Sequence, residues 1–198
     1  MIAVGAVLLG LLIGFSRGGT LKGIGELRLR GLWVVFAALL IQMLIFPSPL
    51  IGQPPIRVGT QYLHIASYAL IVGFLVWNRR VLWPVMPGMV LNLVAIVANG
   101  GYMPASVDAL YASGRTAVAR ALSASPDGTL SNVVAMGEST RLDILGDWLY
   151  VPPSVPLATS FSLGDVLLLF GIAWVIQAGM AQVRRRRDLR SQDGRHAS

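Results

Sequence analysis

The sequence predicts an all-α membrane protein. It reads as five transmembrane helices, the N-terminus outside and the C-terminus cytoplasmic, with a mostly helical or irregular extracytoplasmic insertion before the last helix. Three observations predict this. Of the 198 residues 55% are hydrophobic and only 13% are charged, about half the charged share of an ordinary soluble domain. Five apolar stretches alternate with linkers. The charge is sorted between those linkers. Arg17, Lys22, Arg28 and Arg30 follow the first stretch, Arg79 and Arg80 the third, and Arg184 to Arg187, Arg190 and Arg195 the fifth. The other two linkers hold only Arg57, Arg115, Arg120 and Arg141. Twelve of the sixteen basic residues therefore fall on one side, and the Lys- and Arg-rich side is expected to be cytoplasmic.

Span one is Ile2 to Phe15. Nothing charged precedes Arg17, and no small-x-small cleavage site closes the stretch, so it reads as a retained span rather than a signal peptide. Gly10 and Gly14, four apart, share one helix face and permit close approach of a neighbouring helix. Span two is Gly31 to Phe46, stopped by Pro47 and Pro49. Span three is Tyr62 to Trp77. Span four is Val81 to Ala98, with Pro84 and Pro87 in its first turns, where a missing amide proton costs least. Span five is Leu163 to Val183. Several of these fall short of the roughly 20 residues that cross a hydrocarbon core. Trp33, Trp77, Trp83 and the arginines would extend them into the interface.

The chain then divides into a four-span region (1–98), an extracytoplasmic subdomain (99–160), a fifth helix (161–183) and a basic cytoplasmic tail (184–198) expected to be disordered. Within the subdomain Ser106 is a candidate N-cap with Asp108 in the first turn. Val107, Leu110, Tyr111, Val118 and Leu122 recur at helical spacing, as in an amphipathic helix lying on a membrane surface. Pro126-Asp127-Gly128 is a turn. Asn132 to Met136 has strand character, and Pro152, Pro153 and Pro156 mark an extended lead into span five.

The net charge of +7 does not point to nucleic acid. The basic residues are juxtamembrane, where anionic headgroups attract them. The expected partners are the lipid bilayer, anionic headgroups at the tail, and another membrane protein. The absence of Cys excludes disulfides, thiolate metal sites and Cys nucleophiles. No nucleotide or haem motif is present, and His64 and His196 lie on opposite sides, so neither a cofactor nor a metal is expected. Fifteen of the sixteen basic residues are Arg, which hints at a GC-rich bacterial genome, and the expected location is the bacterial plasma membrane.

Polar residues within spans are costly and mark protein- or cavity-facing positions. Gln42, His64, Asn92, Asn99 and Asp165 all fall toward the outer ends, and only Gln177 is placed inward. That bias points to a site open to the outside, although Gln42 and Asn92 equally suit helix-to-helix hydrogen bonds. Ser162 and Asp165 in Phe161-Ser162-Leu163-Gly164-Asp165 have the spacing of a capping box. The same Asp165 could instead face a second carboxylate, Asp147 or Asp143. Two close carboxylates do not both ionise readily, and such a pair can activate water.

Asn99-Gly100-Gly101-Tyr102-Met103-Pro104, then Leu145-Gly146-Asp147, then Phe161-Ser162-Leu163-Gly164-Asp165, in this order and layout, resemble a family of small bacterial multi-pass membrane proteins of unassigned function. The Gly-rich start Leu8 to Gly14 and the linker Glu26 to Gly31 fit it too. This resemblance implies a shared fold and supplies no reaction. Asp143 to Gly171 also resembles, in part, the end of lipoprotein signal peptidases, membrane aspartyl enzymes in which a Phe-Asn-x-Ala-Asp motif opens the final span. Phe161 and Asp165 match that motif; Ser162 and Gly164 depart from it. The partner Gly-Asn-x-x-Asp-Arg motif is missing, and Asn99-Gly100-Gly101 stands in its place without an acid. The expectation is a non-enzymatic binding or accessory protein. Its outward polar pocket would use Asn99, Asp147, Asp165 and His64, with Asn92 and Gln42. The alternative is an aspartyl membrane peptidase using Asp165 with Asp147 or Asp143.

Overall fold

A computed structural model describes residues 2–47 and 53–196, with side chains described for residues 4–47 and 53–181. It is mostly helical. The principal helices are α1 (Ile2–Ser16), α3 (Leu32–Ile45), α4 (Thr60–Trp77), α6 (Met86–Ala98) and α9 (Leu163–His196), with short α2 (Leu21–Gly25) and α5 (Arg79–Leu82) between them. Two segments, Thr60–Trp77 and Leu163–Ala181, are long and apolar enough to cross a membrane, and Val4–Ser16, Leu32–Ile45 and Met86–Ala98 are apolar but shorter.

The long helices pack in the order α1, α9, α6, α4, α3, so the last helix of the chain lies between the first helix and α6. Taken in chain order, their directions alternate. Gly10 of α1 meets Ala173 and Ile176 of α9, and Gly14 meets Met180, so these two helices run parallel. A Cβ at Gly10 would lie 3.0 Å from the Ala173 Cα, which is why small residues sit on this face. Gly88 of α6 lies under Gly164 and Leu168 of α9, and Gly171 of α9 under Pro84, an antiparallel crossing set by glycines on both sides. Between α4 and α6 a core of Phe74, Leu75, Leu82 and Val85 forms with Val34 of α3.

The stretch around Pro84 departs from the expected single span. α5 ends at Leu82 and α6 begins at Met86 with Pro87 in its first turn, because Pro84 lacks an amide proton and its ring obstructs a continuous helix. At the same end buried Asn78 clamps the preceding linker. Its Nδ2 donates to the Arg30 and Phe74 carbonyls at 2.9 Å, and its Oδ1 accepts from the Arg30 amide at 2.8 Å. Arg17 donates from Nη1 to Gln177 Oε1 at 3.1 Å. The linkers carrying Arg17, Lys22, Arg28, Arg30, Arg79 and Arg80 thus gather at one end of the helices. α9 continues as backbone helix to His196, past the Val183 expected from hydropathy, since Arg, Gln and Leu are good helix formers. The side chains of the tail arginines, and Pro49 as a helix stop, lie outside the described residues.

The 99–160 segment is less purely helical than expected. β1 (Met103–Ala105), β3 (Val133–Ala135) and β2 (Thr129–Leu130) form a small sheet in the order β1-β3-β2, with β1 parallel and β2 antiparallel to β3. The strand expected at Asn132 to Met136 is β3. The single amphipathic helix is instead α7 (Val107–Ala112) and α8 (Thr116–Ala124), split at Gly114 with φ +77°. Of its apolar residues Tyr111 is exposed, but the others turn inward. Leu110, Ala119 and Leu122 are buried with Ala105 against Val133 and Leu130, so the apolar stripe is consumed by the subdomain's own core. Ser106 caps α7, its Oγ accepting from the Ala109 amide at 3.2 Å. The proline-rich lead into α9 is a loop inside a hairpin of β4 (Leu149–Val151) and β5 (Thr159–Phe161). The prolines occupy the loop because it needs no amide donors there.

Candidate functional site

Where α6, α9 and the subdomain meet, three polar side chains close a ring. Ser162 precedes α9 and its Oγ accepts from the Asp165 amide at 3.0 Å, while Asp165 Oδ2 accepts from the Ser162 amide at 3.3 Å. That is the reciprocal capping box. Asn92 of α6 completes it across the helix crossing. Asn92 Nδ2 donates to Asp165 Oδ1 at 2.9 Å, and Ser162 Oγ donates to Asn92 Oδ1 at 2.9 Å. Ser162 and Asn92 are buried, and each finds a donor and an acceptor. The glycine crossing makes this possible: Gly88 and Gly164 bring the two backbones close enough for Asn92 to reach over the start of α9.

Asp147 approaches the same place from the subdomain. Its amide donates to the Pro104 carbonyl at 2.8 Å and its carbonyl accepts from the Ser106 amide at 3.0 Å, which fixes it beside Ala105 at the edge of β1. Gly146 is required just before it, because a Cβ there would lie 2.5 Å from the Pro104 carbonyl oxygen. The residue is half-buried and keeps some contact with solvent. Burial, then the negative charge of Asp165, push the carboxyl up to about 7, with the Arg115 cation pulling it back. Among the described residues that carboxyl has no hydrogen-bond partner. Tyr68 of α4 lies within electrostatic reach of both acids. Asp143, in a 3-10 turn (Asp143–Leu145), keeps a buried Oδ1 with no hydrogen-bond partner among the described residues.

The remaining candidates act as ties. Asn99 ends α6 and donates from Nδ2 to the Ala95 and Arg141 carbonyls at 2.8 Å, while its Oδ1 accepts from the Arg141 amide at 2.8 Å. His64 is buried between Phe46 and Tyr68, both edge-on, at ring distances of 4.9 and 5.1 Å. Its Nδ1 lies 2.7 Å from the Gly101 carbonyl; that partner only accepts, so Nδ1 carries the proton. Gln42 donates to Ser67 Oγ at 3.2 Å, which donates on to the His64 carbonyl at 2.8 Å. Gln42 and His64 therefore join α3, α4 and the loop after α6.

The structure thus brings Asn92, Ser162, Asp165 and Asp147 together and leaves Gln42, His64 and Asn99 around them in structural bonds. Asp165 forms the reciprocal cap with Ser162, and its charge also acts on the Asp147 carboxyl. Sequence reasoning missed the bond from Ser162 to Asn92, the approach of Tyr68 and Arg115, and the Asn78 clamp. Only Asn78 carried a local signal, as a polar residue closing a span. Chemically, a carboxyl that changes charge near neutral pH can take up a proton or hold a cationic or hydrogen-bond-donating ligand. No group of three or more metal-ligating side chains is present among the described residues.

A family model described as a family of unknown function, DUF5317, matches residues 26–177, and the chain belongs to that family. Neither curated proteins nor solved structures gave a match.

Proposed function

We propose that this DUF5317 member is a five-span protein of the bacterial plasma membrane. Its N-terminus is outside and its C-terminus cytoplasmic, and it binds a ligand, without chemistry, at the junction of α6, α9 and the outer subdomain. The alternating helix directions support the topology, with six basic residues of the first and third linkers gathered at one end. So do the many exposed large apolar side chains along the helices, among them Leu8, Leu12, Phe36, Leu40, Phe170 and Trp174, a pattern that suits lipid better than water.

One observation carries the functional reading. Asp147 offers a carboxyl with no hydrogen-bond partner among the described residues, within electrostatic reach of an acid that is already occupied. Both Asp165 oxygens accept from protein donors, so its carboxylate is taken up in structural bonds. The ligand would be a small polar or cationic group that pairs with the charged form of Asp147. A second reading has its own support: burial, and after it the negative charge of Asp165, holds Asp147 toward its protonated form, the second of these as in paired-carboxylate enzymes, and Phe161 and Asp165 match the signal-peptidase pattern. Under that reading the protein is an aspartyl membrane peptidase.

The purified protein, offered a lipopeptide panel, should show no turnover. Hydrolysis that disappears in both Asp147→Asn and Asp165→Asn would establish the peptidase instead. For topology, a phosphatase fused after Pro126 should be active and a cytosolic reporter should be active after Arg190; the opposite result at either position would reject the arrangement.

A further inference from the structure

The two ends of the helices are furnished differently. At the basic end Trp33, Trp77 and Trp83 are all exposed. Amphipathic aromatic rings are enriched at both membrane–water interfaces. At the other end the helices themselves expose a single Trp or Tyr among the described residues, Tyr62. The subdomain holds the missing ones. Trp148 and Tyr150 are exposed, as are the aliphatic Leu142 and Ile144.

Their height is set by the fold. Asn99, which closes α6, holds the Arg141 backbone by both its amide and its carbonyl. The 3-10 turn that follows rests on α6 and α9. Leu142 enters that turn with φ +57°, a conformation disfavoured for a branched apolar side chain. The Trp148 indole donates to the Ile144 carbonyl at 2.9 Å, so the ring lies beside the turn. On α6 the exposed stripe Val90, Val94 and Val97 ends at this level. A water-facing turn gains nothing from placing Leu142, Ile144 and an indole outward, whereas an interface rewards apolar area with a polar edge.

Resting on the membrane reading above, we propose that Leu142, Ile144, Trp148 and Tyr150 form an interfacial anchor that seats the subdomain in the outer leaflet. Its partner is the lipid glycerol and upper acyl region. The anchor fixes the depth at which Asp147 and Asp165 lie.

The test uses the full chain in phosphatidylethanolamine–phosphatidylglycerol vesicles. Two variants keep one tryptophan each, Trp148 or Trp174, the others being replaced by Phe. Quenching is compared between lipids brominated near the glycerol and near the chain ends. Trp174, well inside α9, should be quenched best by the deep label and Trp148 best by the shallow one. Deep quenching of Trp174 with no lipid quenching of Trp148 overturns the anchor and leaves the spanning reading intact. This includes the case in which Trp148 is also shielded from aqueous quencher, as a protein partner would shield it. No quenching of either overturns the spanning reading itself. If the single-tryptophan variants do not fold, Trp148→Phe in the parent serves instead. A partial loss of the shallow-quenched component is expected, since Trp33, Trp77 and Trp83 remain at the opposite interface, and a component unchanged from the parent overturns the anchor.

Discussion

Replacing Asp147 by asparagine should change how stability depends on pH. The carboxyl stands at about 7 in the folded chain against an ordinary 3.8. At about 1.4 kcal/mol per pH unit this corresponds to about 4 kcal/mol, which partial contact with solvent reduces to about 2–4 kcal/mol. The sign follows from proton counting. The folded state binds this proton more tightly than the unfolded chain, so its stabilising contribution is complete in acid. It falls as pH rises from about 4 to about 7, and is lost above that. A side-chain amide at this position cannot ionise, so the variant lacks this loss. Denaturation of parent and Asp147→Asn in mild detergent, from about pH 4 to about pH 8, should show the parent losing about 2–4 kcal/mol relative to the variant. In an Asp165→Asn background the difference should shrink, because one of its causes is gone. In Arg115→Ala it should widen, since that cation opposes the effect. A parent-to-variant difference that does not change with pH would refute the burial and the pairing together.

Two further outcomes follow from the packing. Gly10→Leu should lower folded yield in membranes more than Leu11→Ile, because a side chain at Gly10 meets Ala173 and Ile176 at 3.0 Å; equal yields would separate α1 from α9. Asn92→Ala should cost about 1–3 kcal/mol by stranding the Ser162 hydroxyl and one Asp165 oxygen, and Asp165→Asn about 0.5–2 kcal/mol through the cap. The two together should fall short of their sum because they share the ring, and thermal unfolding of the double variant reads this directly.

The helices were legible where hydropathy and prolines are local. Gly10 and Gly14 marked a close contact, Ser106 and Ser162 marked caps, and Asn132 to Met136 marked a strand. What stayed hidden depends on residues far apart in the chain. Asn92 reaches Ser162 and Asp165 across some seventy positions, and neither end announces the other. The apolar spacing through α7 and α8 fits a bilayer surface and a small protein core equally well, and only β1 and β3 decide between them. In the sequence Asp147 is one of three similar acids. Its distinction comes from Gly146, which lets the chain lie against Pro104, and from a strand edge formed by residues some forty positions earlier.

The place of α9 in the row has a consequence for how the protein is made. A ribosome delivers α1 first and α9 last, yet the glycine face of α1 is complementary to Ala173, Ile176 and Met180 of α9. Every helix between them is synthesised while that face has no mate. α6 waits likewise, with Gly88 and the Asn92 amide uncovered until Gly164 and Asp165 emerge. These two seams, and the ring of Asn92, Ser162 and Asp165, can therefore close only once α9 has been made. Nascent chains truncated before residue 163 should be the species that quality-control proteases recognise, since half-made packing of this kind is exposed to competing contacts.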